Sequence, residues 1–451
     1  MRHYNMLKDS PGKSLFFFAL PIILGNLFQQ FYNMVDSIIV GQFVGEEALA
    51  AVGASYALTT VFIMIAIGGG IGASVITSQY LGANKIGKMK TSIYTALISF
   101  LIISCIFGLI GFFMNERILL FLGTPANIME DATAYLGIYF WGLPFLFMYN
   151  ILSAIFNAMG KSRTPLYLLI FSSMLNVILD LVFVCLFFWG VKGVAIATVI
   201  AQGISAVISF ILLIRHLKTY ETEEKVSYYE VSMLGKMVKV ALPSTLQQAI
   251  VSIGMLLVQS VVNGFDSSVL AGYTAATRVE SFCIVPMIAT GNAVSTFTAQ
   301  NLGAKQVERI KQGYKMGCAM VGTFAVILCV LLNIFHTPIL SAFLNQESSA
   351  VAFATGSSFV RFISFFFVFI GLKAATDGIL RGAGDVVVFT MANLINLGIR
   401  VSFAYLMVPV LGVNAVWYAI PIGWGVNFLI SFIRYLSGKW CKKLLISTEE
   451  A

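Results

Sequence analysis

Apolar runs of about 20 residues follow one another along almost the whole chain, and each is long enough to cross a bilayer as a helix. Inside hydrocarbon the backbone must satisfy its own hydrogen bonds, which a helix does within one segment. A transmembrane β-barrel would instead show short segments of alternating polarity. The composition agrees: 59% of residues are hydrophobic and 11% charged, against about 25% charged in a soluble domain. The first run, residues 15–40, is longer than a signal-peptide core and lacks a small-residue cleavage site, so no cleaved leader is expected.

Twelve spans are expected, near 15–40, 49–77, 92–114, 132–155, 165–190, 193–214, 237–263, 270–298, 313–335, 352–376, 386–409 and 413–436. The net charge of +8 would suit nucleic acid, but the cations sit in short segments between apolar runs. With the N-terminus cytoplasmic, inner segments hold 22 of the 28 Lys and Arg, and outer loops hold only Arg117 and Lys192. Lys and Arg accumulate on the cytoplasmic side, so both termini are expected there, in a plasma membrane of bacterial type.

The longest charged segment lies between spans six and seven. It marks an N-terminal six-helix lobe over 1–214, a cytoplasmic linker over 215–236, a C-terminal lobe over 237–440 and a tail over 441–451. The halves repeat. Ala19-Leu20-Pro21 returns as Ala241-Leu242-Pro243, and Gln79-Tyr-Leu-Gly-Ala returns at Gln300 as Gln-Asn-Leu-Gly-Ala, at offsets of 222 and 221 residues. Asn176-x-x-x-Asp180 aligns with Asn396-x-x-x-Arg400 at offset 220, and Gly193-Val194 with Gly412-Val413 at offset 219. Six spans is an even number, so both halves enter the membrane with the same orientation. The expected fold is an all-α polytopic membrane protein of two parallel-repeat lobes around a central cavity, a design suited to alternating access.

Several chemistries find no support. The six cysteines are scattered with no C-x-x-C pair, and His3, His216 and His336 lie far apart, so neither a disulfide framework nor a metal cluster is expected. Gly82-Ala-Asn-Lys-Ile-Gly87-Lys88 begins like a phosphate-binding loop, but Met89 replaces the required hydroxyl and no strand precedes it, so ATP is not expected. Gly68-Gly-Gly-Ile-Gly72 lies within an apolar span and reads as a close-packing surface. Pro21 and Pro243 interrupt spans one and seven and are hinge candidates, although a passive kink would look the same.

One feature calls for chemistry. Asp180 lies inside the run 165–190, with Asn176 one turn earlier on the same face. An ionised carboxylate at the bilayer centre costs at least ~2.5–3.5 kcal/mol, so Asp180 needs water, a cation or a proton. Spans one to six contain no Lys or Arg, which excludes an interhelical ion pair inside that lobe.

The order and spacing of these motifs resemble the multidrug and toxic compound extrusion (MATE) family of efflux transporters over nearly the whole length. The resemblance is carried by Ala-Leu-Pro opening spans one and seven, Asp36 late in span one, and Gln-x-Leu-Gly-Ala after spans two and eight. Gly160-Lys-Ser-Arg-Thr-Pro165 and Arg381-Gly-Ala-Gly-Asp385 complete it. It implies a secondary antiporter exporting amphipathic, often cationic, organic compounds in exchange for H⁺ or Na⁺. In one branch the ion is handled by an Asp on helix one, an Asn and Asp on helix five and a Thr on helix six; the matching positions are Asp36, Asn176, Asp180 and Thr198. Their depths are compatible: Asp36, Asp180 and Thr198 fall about 6, 15 and 8 Å below the outer ends of their spans. Two carboxylates with amide and hydroxyl oxygens would hold Na⁺, or share one proton because burial and like charge disfavour double ionisation. A solvated Asp36 is the structural alternative.

The second lobe differs in sign. Arg278, Glu280, Arg361, Lys373 and Arg400 lie within its spans, and Arg400 occupies the repeat position of Asp180. Lys373 is expected to reach toward the interface, as long cationic side chains do. Arg361 or Arg400 is expected either to pair with Glu280 or to accept an anionic group of a substrate. No cofactor beyond the coupling ion, no nucleic acid and no enzymatic cluster is expected. Small organic substrates and the bilayer are the partners, and the chain is expected to act as a monomer. A flippase for a lipid-linked precursor is the alternative within the superfamily, and an ion channel the alternative of another class.

Overall fold

The computed structural model describes residues 5–344 and 349–446, and every regular element among them is helical. Arg2 and His3, and the tail beyond residue 446, lie outside the described residues. The α-helices are α1 Pro11–Ile39, α2 Glu46–Gly82, α3 Ile86–Phe121, α4 Met129–Ala158, α5 Arg163–Leu181, α6 Gly190–Leu217 and α7 Val231–Val262. They continue as α8 Ser267–Cys283, α9 Val285–Gly303, α10 Val307–Ser341, α11 Ala350–Ser364, α12 Phe367–Ala383, α13 Val386–Leu411 and α14 Asn414–Leu436.

Eleven helical stretches among the described residues are long and apolar enough to cross a membrane, and a bent pair brings the number to as many as twelve. Two expected spans are interrupted. Span eight is α8 followed by α9, joined at Ile284, with Pro286 in the first turn of α9. Proline has no N–H to give the preceding turn, so the ladder breaks there. Span ten is α11 and α12, bent by 51°. At that break the Ser364 hydroxyl bonds back to the Arg361 carbonyl at 2.7 Å, and such back-bonds bend helices.

The repeated Leu-Gly-Ala motifs are helix stops. Asn84 and Lys305, 221 residues apart, both take a left-handed φ of 58°. Behind them Lys85 N donates to Tyr80 O at 3.0 Å, and Gln306 N to Asn301 O at 2.8 Å. These are the wrapped six-to-one bonds of a Schellman cap. They satisfy carbonyls that the helix end would leave bare.

The chain packs as two compact units, and the division does not fall at the linker. One unit comprises Leu24–Thr245; the other comprises Leu246–Ala451 together with the chain up to Ile23. Both breaks lie inside a helix, two residues past Pro21 in α1 and two past Pro243 in α7. Each unit is therefore completed by the first half of the other repeat's first helix.

In the Leu24–Thr245 unit, α2 receives the first half of α7 on a glycine face. A Cβ added at Gly68 would lie 2.0 Å from Thr245 Oγ1, and one at Gly72 would lie 2.5 Å from the Met237 carbonyl. The Gly68–Gly72 run is thus a packing surface, as small residues spaced by four are in membrane helices. The linker is fastened to the same unit. Glu224 accepts from Gly87 N at 2.6 Å, Glu230 pairs with Lys88 at 3.3 Å, and Thr91 and Thr95 accept from Ser227 N and Glu230 N. Outside the spans, the Ser232 hydroxyl, followed by Lys88, holds the Glu230 carboxyl below its ordinary range.

The other unit repeats the device. Arg309, the repeat counterpart of Lys88, donates to the Met6 carbonyl from Nε at 3.1 Å and from Nη2 at 3.0 Å, and also to the Asp9 carbonyl. Asn301 Nδ2 adds a bond to Met6 O at 3.2 Å. Met6, Leu15, Phe18 and Ala19 are buried there.

Candidate functional site

Asp36, Asn176, Asp180 and Thr198 come together in the Leu24–Thr245 unit, from α1, α5 and α6. Asp180 is wholly buried and Asn176 nearly so. The Asp36 and Asp180 carboxyls lie within hydrogen-bonding reach of each other. Two ionised carboxylates are acceptors only, so a bond between them calls for a shared proton, and a bound cation would answer the same need. The second oxygen of each, Oδ1, is buried without a protein partner.

Asn176 joins the cluster through both ends of its amide. In one orientation its oxygen accepts from the Tyr32 hydroxyl and its nitrogen reaches Thr198 Oγ1 at 3.4 Å. Turned over, its nitrogen reaches Asp180 Oδ2 at 3.3 Å and its oxygen accepts from Thr198 N at 3.1 Å. Thr198 in turn donates its hydroxyl to the Val194 carbonyl at 3.1 Å.

Two tyrosines belong to the site that the sequence reading passed over. Tyr32 bonds Asn176 and also reaches Thr198. It lies one turn before Asp36 on the same face, a spacing that would have found it. Tyr135, from α4, lies within charge range of both acids, and nothing in its local sequence marks it.

The backbone beside the acids is unusual on both helices. A π-turn, Val40–Val44, follows α1, and another, Val182–Leu186, follows α5. Gly45 N bonds Val40 O at 3.2 Å and Phe187 N bonds Val182 O at 3.1 Å, each five residues back. Asp180 sits two residues before its π-turn and Asp36 four before its own. Such bulges recur at functional sites because they re-aim side chains and loosen the ladder. No lysine or arginine approaches the acids among the described contacts.

In the other unit, the four pairing candidates separate. Glu280 on α8 and Arg400 on α13 lie within charge range of each other, and Tyr273 within range of both. Arg278 and Arg361 are exposed. Arg278 lines a cavity of about 490 Å³ with Thr274 and Phe343. Lys373 is half-buried and pairs at 3.1 Å with Asp377, one turn nearer the inner end of the span. Asp377 also accepts from Ser431 Oγ at 2.7 Å and Asn393 Nδ2 at 3.3 Å and so builds a polar socket for the ammonium. Pro21 and Pro243 stand within α1 and α7 beside the unit breaks.

A family model described as MatE matches residues 21–182 and 243–406. The probable multidrug resistance protein YpnP of Bacillus subtilis (strain 168) is 31% identical over 457 residues, covering 100% of both chains. YoeA of the same organism, also described as a probable multidrug resistance protein, is 27% identical over 446 residues, covering 97% of this chain and 96% of its own. Among solved structures, the outward-facing conformation of a multidrug resistance MATE family transporter of the MOP superfamily superposes with a TM-score of 0.90 at 24% identity. It covers 98% of this chain and 99% of its own. That likeness establishes the fold.

Proposed function

The chain belongs to the MATE family, and from that premise we propose that it is a secondary antiporter exporting amphipathic, often cationic, organic compounds in exchange for an inward cation. The reading places it in a bacterial plasma membrane with both termini cytoplasmic, working as a monomer without ATP. The observation that carries it is the approach of the half-buried Asp36 carboxyl to the wholly buried Asp180, with no Lys or Arg beside them among the described contacts.

The chemistry follows from the donor set. A pair of carboxyls in contact is stable when it holds one proton and repels itself when it holds none. Loading and unloading a cation therefore changes the force between α1 and α5. Tyr32, Asn176 and Thr198 keep the two acids aligned while their charge changes. The carboxyl–carboxyl contact supports H⁺ as the coupling ion. Na⁺ would use the same oxygens: the two free Oδ1 atoms, the Asn176 amide and the Thr198 hydroxyl fit its preference for oxygen ligands. The π-turns give the two helices local freedom to respond.

Purified protein in proteoliposomes, driven separately by a pH and a sodium gradient, tests this. The parent exports ethidium under one of the two gradients. Asp36→Asn and Asp180→Asn each abolish gradient-driven export while passive binding of ethidium persists. Undiminished export by the double variant would overturn the assignment.

A further inference from the structure

The acid cluster has a counterpart in the second repeat, and its chemistry is inverted. At the offsets read from the sequence, Asn176 corresponds to Asn396, Asp180 to Arg400 and Thr198 to Trp417. Matching sequence positions therefore carry an acid, an amide and a hydroxyl in the first repeat, and a guanidinium, an amide and an indole N–H in the second.

We propose that these second-repeat residues form a pocket for the anionic group of an aromatic organic compound. Three polar atoms carry the argument. Arg400 Nε, Asn396 Oδ1 and Trp417 Nε1 are each buried without a hydrogen-bond partner. Asn396 and Trp417 are themselves 8% and 1% exposed. Buried donors of this kind are costly to leave unmade, and two of the three are N–H groups, which an anion satisfies.

The bland alternative is that Arg400 serves only to neutralise Glu280. The two attract each other, yet no N–O contact within 4.0 Å joins them among the described ion pairs, which are Lys88–Glu230, Lys311–Glu308, Lys373–Asp377 and Arg434–Asp385. The interaction is through space, and it leaves the guanidinium with donors to spare. A purely structural pair would close to a direct bond, as Arg434 and Asp385 do at 2.5 Å.

The surroundings select an aromatic body over a bare inorganic anion. Tyr273, Phe359 and Trp417 form a stack, with ring centroids 5.7 Å apart at 13° and 5.4 Å apart at 8°. Tyr273 lies within charge range of both Glu280 and Arg400. On the α14 side the wall is Gly423, where a Cβ would lie 2.2 Å from Asn396 Oδ1 and 2.9 Å from Arg400 Cγ. That contact fixes the amide and the arginine stem against one helix. Glu280 then acts as an internal competitor that a ligand carboxylate must outbid.

This site extends the proposed substrate range, and its test does not depend on ion coupling. The probe is carboxyfluorescein, with binding to the purified full-length chain read by fluorescence anisotropy, beside ethidium as the cationic control. The parent binds carboxyfluorescein. Arg400→Gln lowers its affinity relative to that of ethidium by about tenfold or more, and Arg400→Lys restores part of the loss. Glu280→Gln raises affinity for the anion. Equal weakening of both probes by Arg400→Gln, parental affinity in that variant, or weaker anion binding in Glu280→Gln would each overturn the proposal. So would displacement of the probe by an equimolar amount of inorganic phosphate, which would identify a site for free anions. Should Arg400→Gln fail to fold, the opposite shifts expected of Arg400→Lys and Glu280→Gln decide the matter. Failure of ethidium export with intact carboxyfluorescein binding would separate this inference from the antiport reading.

Discussion

Tyr32 holds the acid cluster by its hydroxyl, which bonds the Asn176 amide in either orientation of that amide and reaches Thr198, one turn from Asp36. Tyr32→Phe keeps the ring and removes the hydroxyl. One lost hydrogen bond of ~0.5–1.5 kcal/mol corresponds to roughly a two- to tenfold change in an equilibrium constant. The expected result is a loss of coupled export within that range at a fixed gradient, without loss of folded protein. An unchanged rate would show that Tyr32 only fills space. At this scale the sequence was partly readable. A carboxylate in an apolar run is costly wherever it occurs, so Asp180 announced itself. Asp36 and Thr198 were found through family resemblance, because their local sequence is unremarkable. Tyr135 was not found, because its role depends on α4 packing beside α5 and α6, a tertiary fact. The socket around Lys373 is hidden for the same reason: its partner Asp377 is one turn away in sequence, but Asn393 and Ser431 come from two other helices.

Helices of this protein meet through their smallest residues. Between α9 and α12 a Cβ at Gly378 would lie 2.4 Å from the Gly291 carbonyl, and one at Gly382 would lie 2.2 Å from the Ser295 carbonyl. Neither neighbour is the end of a flexible side chain, so backbone must move. Gly378→Ala should therefore destabilise the protein by about 1–3 kcal/mol, in the range of overpacked cores. Thermal unfolding in detergent measures this, and an unchanged midpoint would mean that α9 and α12 separate freely. The helices themselves were legible as apolar runs, since hydrocarbon leaves the backbone no other choice. Their interruptions were less so. The α8–α9 break coincides with Pro286, a visible signal, whereas the α11–α12 bend and the two π-turns leave no mark in composition.

Across the whole chain, repeat symmetry governs more than the helix count. Lys88 and Arg309 stand at matching positions and fasten matching segments, one the linker and the other the residues before α1. Arg309→Ala removes charged donors from the carbonyls of Met6 and Asp9. Bonds of that type are worth about 1.5–3 kcal/mol. The expected outcome is faster hydrogen exchange over residues 6–19 with the exchange of α5 and α6 unchanged; uniform acceleration would mean that the clasp supports the entire fold. The repeats and the charged linker between them are legible in the sequence, because composition changes there; the division into compact units is not. That division falls inside α1 and α7, where the apolar pattern continues without a break.

That displacement sets an order of events during synthesis. Ribosomes deliver the chain from its N-terminus, and Leu24–Thr245 is complete as a unit once α7 is half made. The first half of α1, made earlier, is by then still waiting, because it packs with the chain after residue 246. A segment made ahead of a whole unit is thus seated only after that unit is finished.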